Sequence, residues 1–130
     1  MTDDQRKHLE FIQSVITRLA GNSFLVRGWS VTLIAALFAL AAKDPKQPDF
    51  VILGYFPCFL FAILDALYLS LERKFRALFK RAAEGKVTCF DMTPVDEANN
   101  GWLATFFSPT VLIFHGAIAL LILGAYLFLK

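Results

Sequence analysis

The chain has 130 residues, of which 57% are hydrophobic and only 18% charged, and its formal net charge is +2. An average soluble domain is about 45–50% apolar and about 25% charged, and a small domain buries only about two-thirds of its chain surface, so a soluble globular enzyme and a disordered tail are both excluded. Two cysteines are too few for a disulfide scaffold, and a charge of +2 is no electrostatic footprint for nucleic acid, which is not an expected partner.

Residues 5–20, QRKHLEFIQSVITRLA, put Leu9, Ile12, Val15, Ile16 and Leu19 on one face at helical spacing. This predicts an amphipathic helix that lies on the inner leaflet or packs against its own neighbours. Docking of a cytosolic protein partner is the alternative. Gly21, Asn22 and Ser23 then read as a break, with Gly21 closing one helix and Asn22 or Ser23 capping the next.

A bilayer core about 30 Å thick needs roughly 20 mostly apolar residues in a helix. Three segments qualify: 24–42 with one charge, Arg27; 50–71 with one charge, Asp65; and 109–129 with one histidine, His115. The first lies behind a charged head and lacks a small-x-small cleavage pattern, so it is not read as a signal peptide. Gly28, Thr32, Ala35, Ala39 and Ala42 form a small-residue stripe on it, suited to a helix–helix contact inside or between protomers. Ser23, Arg27 and Ser30 make a neighbouring polar edge. The polar link over 43–49 carries two prolines and is short enough to make the first two spans an antiparallel hairpin.

On the second span, Gly54, Cys58, Phe61, Asp65, Tyr68 and Glu72 share a face, and Pro57 sits where it can kink the helix. Residues 72–84 continue this helix without a breaker until Gly85. Leu71, Phe75, Leu78, Phe79 and Ala82 make an apolar stripe, and Arg73, Lys74, Arg76, Lys80 and Arg81 are placed to meet lipid headgroups. Residues 87–101 read as an acidic loop, followed by Trp102, Leu103, Phe106 and Phe107 as an interfacial segment. Ser108 and Pro109 are an N-cap and a first helical residue.

Lys and Arg favour the cytoplasmic side. Arg6, Lys7 and Arg18 in the head, and the basic run from Arg73 to Lys86, place the N-terminus and the 72–108 segment inside. Depths at 1.5 Å per residue then put Arg27 about 5 Å, Asp65 about 9 Å and His115 about 9 Å in from the inner ends of their spans. With Tyr68 they form an intramembrane polar set. Charged groups at such depth are costly and face the bundle interior or water. Packing of one protomer, or a polar constriction or proton-responsive switch, would each use them.

No P-loop, GxGxxG, CxxC, HExxH or GxSxG occurs, and His8 and His115 make no metal site by themselves. No catalytic residue, metal or cofactor is assigned. HLEFIQSVITRLAGNSFLVRGWSVTLIAALFALAAKD, then YFP, LDALYLSLERKFRALF and FHG, resemble a widespread family of small bacterial membrane proteins, most closely over residues 8–80. The resemblance implies a bacterial inner-membrane protein and brings no activity with it. Small multi-span proteins of this size also occur as membrane effectors in phage defence, an analogy of size and topology.

The expectation is an all-α, three-span membrane protein with an N-terminal amphipathic helix and a long extension of span two. Its expected partners are membrane lipids and further copies of itself. Three spans enclose little cavity, so the leading function is a homo-oligomer that forms, or can be triggered to form, a pore. A membrane-anchored adaptor for a cytosolic protein and an inner-leaflet enzyme are the alternatives.

Overall fold

The computed structural model describes residues 1–43 and 49–129, with only the backbone of Phe50. Most of the expected polar link lies outside the described residues, as does Lys130. The described chain is all-α: α1 Asp3–Lys43, α2 Asp49–Ile52, α3 Tyr55–Ala83, α4 Trp102–Phe106 and α5 Pro109–Leu129. Among these, α1, α3 and α5 are long and apolar enough to cross a membrane. Exposed Phe24, Trp29, Phe56, Ile113, Leu120 and Phe128 stud their outer surfaces. Apolar coverage on this scale suits lipid as the surrounding solvent.

The break expected at Gly21–Ser23 is absent. One helix of 41 residues runs through it, about 60 Å at 1.5 Å per residue. A helical glycine costs only about 1 kcal/mol, and the side chains on either side pack along one continuous neighbour, α3. The separate elements expected at 5–20 and 24–42 are therefore two halves of one rod. The second span starts with a division instead. α2 ends at Ile52, and α3 begins at Tyr55. Pro57 consequently lies in the first turn of α3, where its missing N–H breaks no ladder bond, and it is not a mid-span kink. Gly54 sits at this corner: a Cβ there would lie 3.0 Å from Val51 O, 3.1 Å from Ile34 Cδ1 and 3.3 Å from Ile122 Cδ1. Only glycine lets the three strands of chain converge so closely.

α3 runs unbroken from the second span into its extension and closes where Gly85 adopts φ +74°. The amides of Gly85 and Lys86 donate to Ala82 O at 3.1 Å and Arg81 O at 2.9 Å, the reciprocal pattern of a glycine-terminated helix.

Two apolar cores result. Ile34, Ala41, Val51, Cys58, Ile118 and Ile122 pack among the spans. At the other end of α1 and α3, Ile12, Ile16 and Leu78 are buried beneath Phe75, Phe79, Val87, Met92 and Val95. The N-terminal apolar stripe thus packs on its own neighbours. The 87–101 segment folds over it: Asn100 is buried, its Nδ2 donates to Val95 O at 2.8 Å, its Oδ1 accepts from the Glu97 amide at 2.8 Å, and its carbonyl accepts from Ser70 Oγ at 2.7 Å.

Candidate functional site: a polar latch between the two cores

Span one turns the face of Ser23, Ser30, Ile34 and Ala41 inward, with Arg27 half-buried beside them. Gly28, Thr32, Ala35, Ala39 and Ala42 all lie exposed on the protomer surface. The small-residue stripe is therefore not a contact inside the protomer, as was one expectation. The polar edge takes that place, because α3 presents a carboxylate opposite it.

That carboxylate is Asp65, which is fully buried. Three helices converge on it. From α1, Ser23 Oγ donates to Oδ1 and Arg27 Nε donates to Oδ2 at 2.8 Å. From α5, His115 Nε2 reaches Oδ2 at 2.9 Å. An ionised carboxylate only accepts, so His115 donates through Nε2, and its buried Nδ1 has no hydrogen-bond partner among the described residues. Phe114 covers the cluster: the Arg27 guanidinium carbon lies 5.5 Å from its ring centroid, and the His115 ring stands edge-on to it with centroids 4.9 Å apart. The arrangement cancels one buried charge with one cation and adds two further hydrogen bonds. Removing one partner of such a pair costs about 3–5 kcal/mol, because the survivor is left uncompensated.

Of the expected polar set, the structure brings Arg27, Asp65 and His115 together. Tyr68 is half-buried and makes no hydrogen bond to them among the described residues. Ser23 joins as a full member, although its sequence setting suggested a helix cap. The signal for it was the polar edge shared with Arg27 at i, i+4 spacing. Around the cluster, Trp102 Nε1 donates to Ile63 O at 3.3 Å and Tyr55 OH to Ala119 O at 3.1 Å, tying α4 and α5 to α3.

The basic run of α3 is partly engaged within the chain. Lys74 pairs with Asp96 at 3.0 Å and Arg76 with the buried Glu72 at 2.7 Å. Lys80 and Arg81 remain exposed, and Arg73 is half-buried. Near the N-terminus, buried His8 contacts Asp91 O through Nε2 at 2.7 Å. The Asp91 carboxylate accepts from the Thr93 amide at 3.0 Å, and bonding to Thr93 holds it below the usual carboxylate range. Cys58 is a buried free thiol and Cys89 an exposed one. No family model, curated protein or solved structure matches the chain.

Proposed function

We propose that this is a bacterial inner-membrane effector that self-associates, and that the Asp65 cluster is the latch of its closed form. The observation that carries this reading is the sequestration of Arg27, Asp65 and His115 inside one protomer, with Ser23 completing the set. Among the described residues, the spans of a single protomer turn mostly apolar and small side chains outward, a poor lining for a pore. Opening the latch would supply a polar one. It would release a cation, a carboxylate and an imidazole from three different helices at once. Because α1 and α3 run continuously into the second core, movement there is transmitted to the latch without a flexible joint. The exposed stripe of Gly28, Thr32, Ala35, Ala39 and Ala42 offers copies a surface for close approach. The Lys and Arg distribution supports a cytoplasmic N-terminus and 72–108 segment. Any role in phage defence rests on analogy of size and topology alone.

The mass of the purified protein in nanodiscs tests self-association. An oligomer that Ala35→Leu or Ala39→Leu converts to smaller species is expected, and a strict monomer would remove the pore reading. The adaptor reading is favoured by a different observation. The ends of α1 and α3 fold with 87–101 into a module whose surface shows exposed Phe11 and Phe90, with ring centroids 6.0 Å apart. A stable oligomer that never leaks would favour a partner-binding role for that module.

A further inference from the structure

A cleft of about 580 Å³ opens where α5 begins, walled by Arg73, Glu97, Asn99, Phe107, Ser108 and Pro109. Three independent features of it point to one kind of ligand. First, it holds the amino end of a 21-residue helix. The first ladder bond there runs from the Leu112 amide to Ser108 O at 3.0 Å, so the Thr110 and Val111 amides have no acceptor among the described residues. Such an end attracts an anion through its free N–H groups and its dipole. Second, Ser108 is more than nine-tenths buried, and its Oγ is without a hydrogen-bond partner among the described residues. An N-cap serine ordinarily satisfies the first turn itself. Here the hydroxyl is enclosed in the wall of the cleft with its hydrogen-bonding capacity unused, and the amides beside it have no acceptor among the described residues. Third, the cleft carries one cation and one anion, Arg73 and Glu97, and neither is in an ion pair among the described residues.

We infer that this cleft binds the headgroup of a membrane phospholipid that carries a primary ammonium, of the phosphoethanolamine class. Arg73 and the first amides of α5 take the phosphodiester, the Ser108 hydroxyl turns outward to join them, and Glu97 takes the ammonium. A guanidinium and a carboxylate that share a cleft without joining each other match a zwitterion better than a simple anion. The position fits a lipid as well. Pro109 starts the third span, so the cleft lies at headgroup level, and exposed Phe107 beside it offers an apolar wall for the first part of an acyl chain. This inference rests on the third span entering the bilayer at Pro109 and is independent of the latch.

Native mass spectrometry of the full chain, exchanged into micelles doped with phosphatidylethanolamine, phosphatidylglycerol or phosphatidylcholine, tests it. One phosphatidylethanolamine is expected to be retained per protomer in preference to the other two. Arg73→Gln should reduce retention of phosphatidylethanolamine and phosphatidylglycerol by about tenfold, the scale of one lost charge-assisted hydrogen bond. Glu97→Gln should leave phosphatidylglycerol retention unchanged and abolish the preference for the ethanolamine lipid. Neither side chain is in an ion pair among the described residues, and an unchanged helical circular dichroism spectrum will show that each variant is folded. Soluble glycerophosphoethanolamine should displace the lipid at millimolar concentration, and inorganic phosphate should not. Equal retention of all three lipids by the wild type, or undiminished retention by folded Arg73→Gln, would overturn the proposal. Displacement by inorganic phosphate alone would assign the cleft to a free anion instead.

Discussion

The hydroxyl of Ser23 on α1 donates to Oδ1 of Asp65 on α3, 42 residues further along the chain. Arg27 and His115 occupy the other oxygen. Ser23 is thus the hydrogen-bond partner of an oxygen buried at the junction of the two cores. Ser23→Ala should cost about 1–3 kcal/mol, the range for stranding a buried acceptor. Ser14→Ala, at an exposed position on the same helix, should cost almost nothing. Thermal unfolding in mild detergent compares them. Asp65→Ala should be worse than either, by about 3–5 kcal/mol, because Arg27 then loses its only carboxylate. Equal melting of Ser23→Ala and Ser14→Ala would show that the bond is incidental.

Two glycines should respond to alanine with opposite signs. At Gly54 the new methyl meets the Val51 carbonyl oxygen at 3.0 Å and the tip of Ile34 at 3.1 Å. A backbone oxygen cannot move aside cheaply, so Gly54→Ala should destabilise by about 1–3 kcal/mol. At Gly21 nothing lies within 4 Å, and the residue is in the interior of α1. Gly21→Ala should stabilise by about 0.5–1 kcal/mol through helix propensity. The same melting assay reads both. A gain at Gly54 would mean that the corner between α2 and α3 is looser than its contacts indicate.

The contrast at Gly21 also shows why some features were legible in the sequence and others were not. Ser108 followed by Pro109 has few readings other than a helix start, and α5 begins there. Gly85 needs a positive φ, and α3 ends just before it. Depth arithmetic put Arg27, Asp65 and His115 at a common level, because rise per residue is nearly invariant. Gly21-Asn22-Ser23, in contrast, is as compatible with a helix interior as with a break. Tertiary packing along α3 decides it. The sequence leaves open whether the small-residue stripe packs inside or between protomers, because small residues permit close approach in either place; inside the protomer the Asp65 carboxylate rewards the polar edge more. The ordering of 87–101 by Asn100 is invisible in the sequence, since the partners of its side chain are backbone groups of a segment with no periodicity.

Leu78 anchors the second core against Ile12 and Ile16 and is fully buried. Leu78→Ala should cost about 2–5 kcal/mol in that core. Hydrogen exchange should then quicken at 87–95 while the amides of α5 stay protected. Uniform loss of protection would mean that the two cores do not unfold separately. The Asp91 turn adds a pH dependence. Its carboxyl is held low in the folded chain, so its contribution is present above the unfolded value near 3.8 and is lost as pH falls through the folded one. Exchange at 87–95 should therefore be unaffected by this group between pH 5 and 8, when corrected for intrinsic rates, and quicken only in stronger acid.

Dye release from liposomes tests the latch most directly. Wild-type protein and the Asp65→Asn variant would be reconstituted at equal density, with matched helical content by circular dichroism. The neutral amide keeps the shape of the site but cannot balance Arg27, so the closed form should lose its advantage. The account predicts slow release from wild-type liposomes and markedly faster release from Asp65→Asn liposomes. Tight liposomes in both cases, with both proteins folded and oligomeric, would contradict it.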